Sequence, residues 1–114
     1  MRRIVATLVL TPPQIVATIM IDPIAPYDWD EAKRAANLAD HKIDFTAIYD
    51  FDWDTGVFIV DDPEDYGELR ESAIGFIGVT LHVVVFTERG QRTRIISLRK
   101  AGAKDVTRYV EEPR

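Results

Sequence analysis

The segment Thr80–Glu88, TLHVVVFTE, constrains the fold of this chain more than any other stretch. Its apolar centre is nearly continuous, the pattern of a strand covered on both faces in the middle of a sheet. Glu88–Gln91 (ERGQ) then turns the chain, and RTRIISLR returns it. So short a connection permits only an antiparallel hairpin. Upstream, TGVFIVDD and SAIGFIG read as two further strands, the second weakened by Gly75. Together these segments predict a four-stranded antiparallel meander. Two helices are predicted before it. The first spans about Asp30 to Asp40, with Asp30 as its cap, Glu31 at the positive end of the dipole, and an apolar stripe of Ala32, Ala35, Ala36, Leu38 and Ala39. The second lies in IDFTAIYDF, capped by Asp44, with Phe45 and Ile48 facing inward. A last helix is expected from about Ala103 to Glu112, with Val106, Tyr109 and Val110 on one face. The order of helix, helix, four strands and helix makes the class α+β.

At 114 residues, 46% of them hydrophobic, the chain is long enough for one core without staples, and it contains no cysteine. Residues 1–26 read differently from the rest. Pro12 and Pro13 interrupt the early apolar run and no small-residue cleavage site follows Met20, so neither a secretory leader nor a spanning helix is expected. The expectation is a disordered or loosely packed extension or a strand pair, with Met20 as an alternative start and the domain proper at residues 27–114.

The net charge of −5 hides a division. Residues 1–86 carry 6 Lys/Arg against 15 Asp/Glu, and residues 87–114 carry 8 against 4. A local basic surface can bind phosphate on an acidic protein, and the acidic remainder suits a basic partner. The stretch Arg92–Lys100 (RTRIISLRK) holds four of those cations. In a regular strand Arg92, Arg94, Ile96 and Leu98 share one face, while Thr93, Ile95, Ser97 and Arg99 share the other, so Arg94 and Arg99 converge only if Arg99 lies beyond the strand end or across a bulge. Guanidinium forks at the ends of such a strand, joined by Arg70, form either a solvated strand end or a phosphate clamp.

Other chemistries find little support. Asp50–Gly56 (DFDWDTG) resembles the start of a calcium loop, but Thr55 stands where that loop needs glycine and Asp61 where it needs a bidentate glutamate. It reads instead as an acidic loop anchored by Phe51 and Trp53. No zinc spacing, phosphate-binding glycine loop or nucleophile elbow is present, and Ser72 and Ser97 are the only serines. His41 follows the first helix, where it serves either proton transfer or the negative end of the dipole. His82 reads as a packed sheet residue.

Taken in order, DWDEAKRAANLADHKIDF, DDPEDYGELR and VVVFTERGQRTRIISLRKA resemble the BrnT toxins of bacterial type II toxin–antitoxin pairs, from about Tyr27 to Glu112. The resemblance implies a RelE-like fold and a cytoplasmic ribonuclease that inhibits translation by cutting RNA without a metal or other cofactor. It also implies a cognate BrnA-type antitoxin, through which alone operator DNA would be contacted, and no membrane association. Lys33 and Asn37, His41, Arg70, and Arg94, Ser97, Arg99 and Lys100 fall on the family's motif positions. His41, Arg70, Arg94 and Arg99 are therefore the expected catalytic group, with Lys33, Arg92, Ser97 and Lys100 along the RNA. Departures from the family pattern include Asp40, Lys42, Glu71, Ser72, Leu98 and Gly102. Asp40 and Glu71 are expected to bring negative charge near the site. The alternative is a toxin that has lost catalysis and keeps only its antitoxin-binding surface.

Overall fold

A computed structural model of the chain describes residues 25–60 and 69–113, together with the strand backbones of Thr7–Val9 (β1) and Thr18–Met20 (β2). Those two strands pair antiparallel with each other. The other residues up to 24 lie outside the described residues.

The main sheet has five strands: Tyr27–Trp29 (β3), Val57–Val60 (β4), Glu71–Ile77 (β5), Thr80–Arg89 (β6) and Arg92–Lys100 (β7). Their spatial order is β3-β7-β6-β5-β4, with β6 central as its apolar run requires. Both hairpin turns have two-residue loops that begin with glycine. Gly90 has φ +60°, a conformation that matches the twist of the flanking strands and that side chains other than glycine rarely adopt. The sheet corrects the expected four antiparallel strands, because β3 adds a fifth, parallel to β7. Three residues after a proline carry too short a pattern to announce a strand. The free edge of β7 supplies the pairing, and Thr93 N–H donates to the Pro26 carbonyl at 2.9 Å.

Two helical segments follow β3. Glu31–His41 (α1) is capped as expected, the Asp30 Oδ1 accepting from the Ala32 and Lys33 amides at 2.8 and 3.1 Å. It stops at Lys42, which takes the left-handed conformation with φ 63°. The second segment, Phe45–Asp50, is a 3-10 helix rather than an α-helix. Asp44 caps it through Thr46 N–H, and six residues between a cap and a β-bridge leave room only for the tighter winding. Phe45 and Ile48 are fully buried, as the sequence implies.

The sheet has two faces. On the back lies the larger core, in which Phe45, Ile48, Phe51, Ala73, Val84, Phe86, Ile95 and Leu98 pack together. Gly75 is required there. A Cβ at that position would meet the Phe51 ring at 2.7 Å and the Asp52 carbonyl at 3.0 Å. On the front, Val57, Ile74 and Val83 form a smaller cluster with Leu81, Ala101 and Tyr109. The helix Ala103–Glu111 (α2) covers this cluster. Its inward residues are Asp105 and Tyr109, whereas Val106 and Val110 are exposed, which corrects the expected apolar face. Tyr109 packs edge-on against Phe76 and donates to the Thr55 carbonyl at 3.1 Å.

Candidate nucleic-acid interface

The arginines of β7 do not follow simple alternation. Val85 pairs with Ser97, yet the next residue, Phe86, pairs with Ile95. Ile96 is therefore the extra residue of a β-bulge, and it shifts the parity of everything beyond it. Thr93, Ile95 and Leu98 are buried on the back of the sheet, so Arg92, Arg94 and Arg99 come together on the front. This corrects the face assignment expected of a regular strand. Register extends the group across the sheet. Arg94 pairs with Thr87, and Arg70 lies one residue before the Glu71–Phe86 pair, so Arg70 continues the same row. Thr87 Oγ1 donates to the Leu69 carbonyl at 2.6 Å, which ties that segment down. Arg89 faces Arg92 across the hairpin and joins the same side, a residue that sequence reasoning left in the turn. Ser97 lies between the Arg94 and Arg99 rows, beside half-buried Val85 and Ser72.

Arg94 and Arg99 have carboxylate neighbours among the described residues. Asp28, beside Arg94 in the parallel pair, holds it in an ion pair at 3.6 Å, beyond hydrogen-bond length. Arg99 donates to Asp105 at 2.7 Å, and the Gly102 N–H reaches the same carboxylate at 2.8 Å. Together these donors, the Arg99 fork first, hold the Asp105 carboxyl below its usual range. Gly102 has no side chain with which to cap α2, so Asp105 ties the helix start to the arginine of the sheet.

The helix α1 takes an unexpected position. Its alanines and Leu38, expected to face inward, are exposed. The residue that anchors it is Asn37, 5% exposed, which donates to the Leu98 carbonyl at 2.7 Å and accepts from the Leu98 amide at 3.0 Å. Its amide takes the place of a neighbouring strand along the edge of β7 that three-residue β3 leaves open. Arg34 forks onto Asp44 through two bonds of 2.9 Å, with its guanidinium 6.0 Å from the Trp29 ring centre. This pair raises the Arg34 pKa and lowers that of Asp44 to about 2, the Thr46 N–H adding to the latter effect. With Asn37 aimed at β7 and Arg34 toward the back, helical geometry carries His41 to the Arg34 side and Lys33 and Asp40 to the front side.

The structure thus groups Arg70, Arg92, Arg94, Ser97 and Arg99 on the front. Lys33 stands at their margin. Two expected members fall outside this group: His41 is exposed on the last turn of α1 on the Arg34 side, because the helical repeat turns it away from the front, and Lys100 shares the back parity of Leu98. Glu71, expected near the arginines, pairs with Phe86 on the back. His82 is 7% exposed with its Nδ1 2.9 Å from the Thr80 carbonyl, a packed sheet residue as its pattern suggests. Among the described residues, no three His, Asp or Glu side chains are grouped so as to hold a metal ion, and no helix is long and apolar enough to cross a membrane.

Against this geometry the comparisons with known proteins are specific. A family model described as "Ribonuclease toxin, BrnT, of type II toxin-antitoxin system" matches residues 29–105, from the last residue of β3 to the Asp105 that grips Arg99. The chain belongs to the BrnT family. Its structure is similar to the 1.1 Å crystal structure of the Brucella abortus ribonuclease toxin BrnT, at 29% identity and a TM-score of 0.53. The match covers 65% of this chain and 92% of the Brucella chain. No curated protein matches. The α+β fold with a C-terminal helix is thus a BrnT fold, and membership of a type II toxin family implies an antitoxin partner.

Proposed function

We propose that this chain is the toxin of a type II pair and that its front face binds the backbone of RNA. The observation that carries the reading is the bulge at Ile96, which brings Arg94 and Arg99 to one side of β7 in a member of a ribonuclease family. In the proposed reaction the substrate's own 2′-oxygen bonds to phosphorus as the bond to the 5′-oxygen breaks. This yields a 2′,3′-cyclic phosphate and a 5′-hydroxyl, with no metal needed. Arg70, Arg94 and Arg99 hold the phosphate most strongly as it gains charge. Lys33, Arg92 and Ser97 track the strand on this face, and Lys100, of back parity, lies beyond it at the end of β7.

His41 is assigned the transfer of protons from the 2′-hydroxyl and to the leaving oxygen. It sits exposed on the last turn of α1, on the Arg34 side of the helix and away from the arginine face, so RNA held on the front meets it only by passing around the edge of the sheet beside β7. Cleavage of RNA inhibits translation in the cytoplasm, a BrnA-type antitoxin neutralises the toxin, and operator DNA is reached only through that antitoxin. Residues 27–114 form the toxin domain, and residues 1–26 an extension to it.

One observation favours a second reading, in which the protein only binds its antitoxin. The carboxylates of Asp28 and Asp105 already engage Arg94 and Arg99, as an anion would. Incubation of the purified protein with RNA in EDTA separates the two. Cleavage that survives chelation, and that is lost in His41→Ala and Arg99→Ala, supports the enzyme. Intact RNA alongside tight antitoxin binding supports the second reading.

A further inference from the structure

The loop motif rejected as a calcium site has a different organisation in the fold. In Tyr49–Asp54, YDFDWD, aromatic and acidic residues alternate. Trp53 lies on the back of the sheet, edge-on to Phe86 at 5.2 Å between ring centres and stacked on Phe58 of β4 at 6.0 Å. Tyr27 stacks on the other side of Trp53 and meets Tyr49 edge-on at 5.0 Å. The result is an aromatic band across the back of the sheet that reaches solvent at both ends. Tyr49 is 56% exposed, Phe58 47% and Val60 62%. Asp50 and Asp52 of the same motif are exposed, and Glu71 stands opposite Val60 in register.

The band ends on an open edge. Among the described residues β4 has a single neighbour, β5, and its sequence VFIV carries neither charge nor proline. An apolar edge of this kind invites an added strand unless something covers it. An incoming strand would gain main-chain hydrogen bonds along Val57–Val60 and set alternate side chains against Phe58 and Val60. Glu71 beside Val60, and the exposed Asp50 next to Tyr49, select the charge of the arrival, since opposite potentials steer association and like charges oppose it.

We infer that the back edge of the sheet, with β4, Trp53, Glu71 and the exposed Asp50, docks an extended, basic and partly apolar segment of the antitoxin. This rests on the antitoxin partner assigned above and adds where and by what chemistry it is held. The arginine face would repel a basic segment, so this surface is separate from the one proposed for RNA.

The test uses the full chain and a cognate BrnA-type antitoxin, with Val60→Lys and Asp50→Lys as variants, since both side chains are exposed and a fold check by near-UV circular dichroism is direct. The expected result is antitoxin affinity lowered at least tenfold by each variant, a wild-type affinity that falls with added salt, RNA cleavage at wild-type rate, and hydrogen-exchange protection of Val57–Val60 in the complex. Wild-type affinity in both folded variants, with protection on α1 or the arginine face instead, would overturn the inference while leaving the toxin assignment intact. Loss of a homodimer in Val60→Lys, with antitoxin binding unchanged, would also overturn it by giving the edge to a second copy. Failure of the wild-type chain to bind the antitoxin would sink the partner assignment and this inference with it.

Discussion

The two faces of one five-stranded sheet carry opposite chemistry. The front gathers Arg70, Arg89, Arg92, Arg94 and Arg99 around Ser97, while the back carries the aromatic band with Glu71 beside it. Strand alternation alone separates Arg70 from Glu71, adjacent in sequence and opposite in charge. Alternation alone would also split Arg94 from Arg99, and the single bulged residue Ile96 reunites them. A protein with an excess of acidic residues can therefore present a coherent cationic surface without any local excess of arginine elsewhere. What matters is the parity with which the cations reach one face.

The comparison can be broken most sharply at the front. Arg94→Ala or Arg99→Ala is expected to lower RNA cleavage about a hundredfold or more, measured as single-turnover rates, because each removes a group that stabilises developing charge. A front face that tolerates both changes removes Arg94 and Arg99 from the catalytic group. Next in size is the anchor between the faces. Asn37→Ala strands the buried N–H and carbonyl of Leu98, and about 3 kcal/mol of stability should be lost in urea unfolding. Gly75→Ala probes the back alone. Its methyl group would press on the Phe51 ring and the Asp52 carbonyl, with an expected cost of about 2 kcal/mol and little effect on RNA binding.

The smallest effect is in acid. Asp44 titrates at about 2 against an ordinary value of 3.8, so its pairing with Arg34 contributes stability that is complete above the ordinary value. That contribution fades as pH falls through about 2. Asp44→Asn should flatten the decline of melting temperature over this window, and the same change should leave cleavage at neutral pH untouched.

Much of the fold was legible because it depends on local pattern. The apolar run Leu81–Phe86 announced the central strand, the Gly90 turn announced the hairpin, and Asp30 announced the start of α1. The features that failed depend on neighbours. β3 is three residues long and exists because β7 offers an open edge. The bulge arises from pairing with β6, which no window on β7 reveals. The alanine stripe of α1 suggested an apolar contact, yet the helix is held by a buried polar side chain, Asn37, whose value comes from two backbone groups 61 residues away in the chain. For the site, the cations themselves were evident in Arg92–Lys100, and their common face was not. Arg89 was hidden because a residue flanking a turn has no assigned face until the register is known.

The account stands on Arg94 and Arg99 acting on one phosphate from one face of β7. A double-mutant cycle on RNA cleavage with Arg94→Ala, Arg99→Ala and the combined variant tests this directly. If both hold the same group, the double variant loses little beyond the larger single loss, with a coupling of at least about 1 kcal/mol. Losses that simply multiply, about ten-thousandfold from two hundredfold steps, would place the two arginines on independent sites and contradict it.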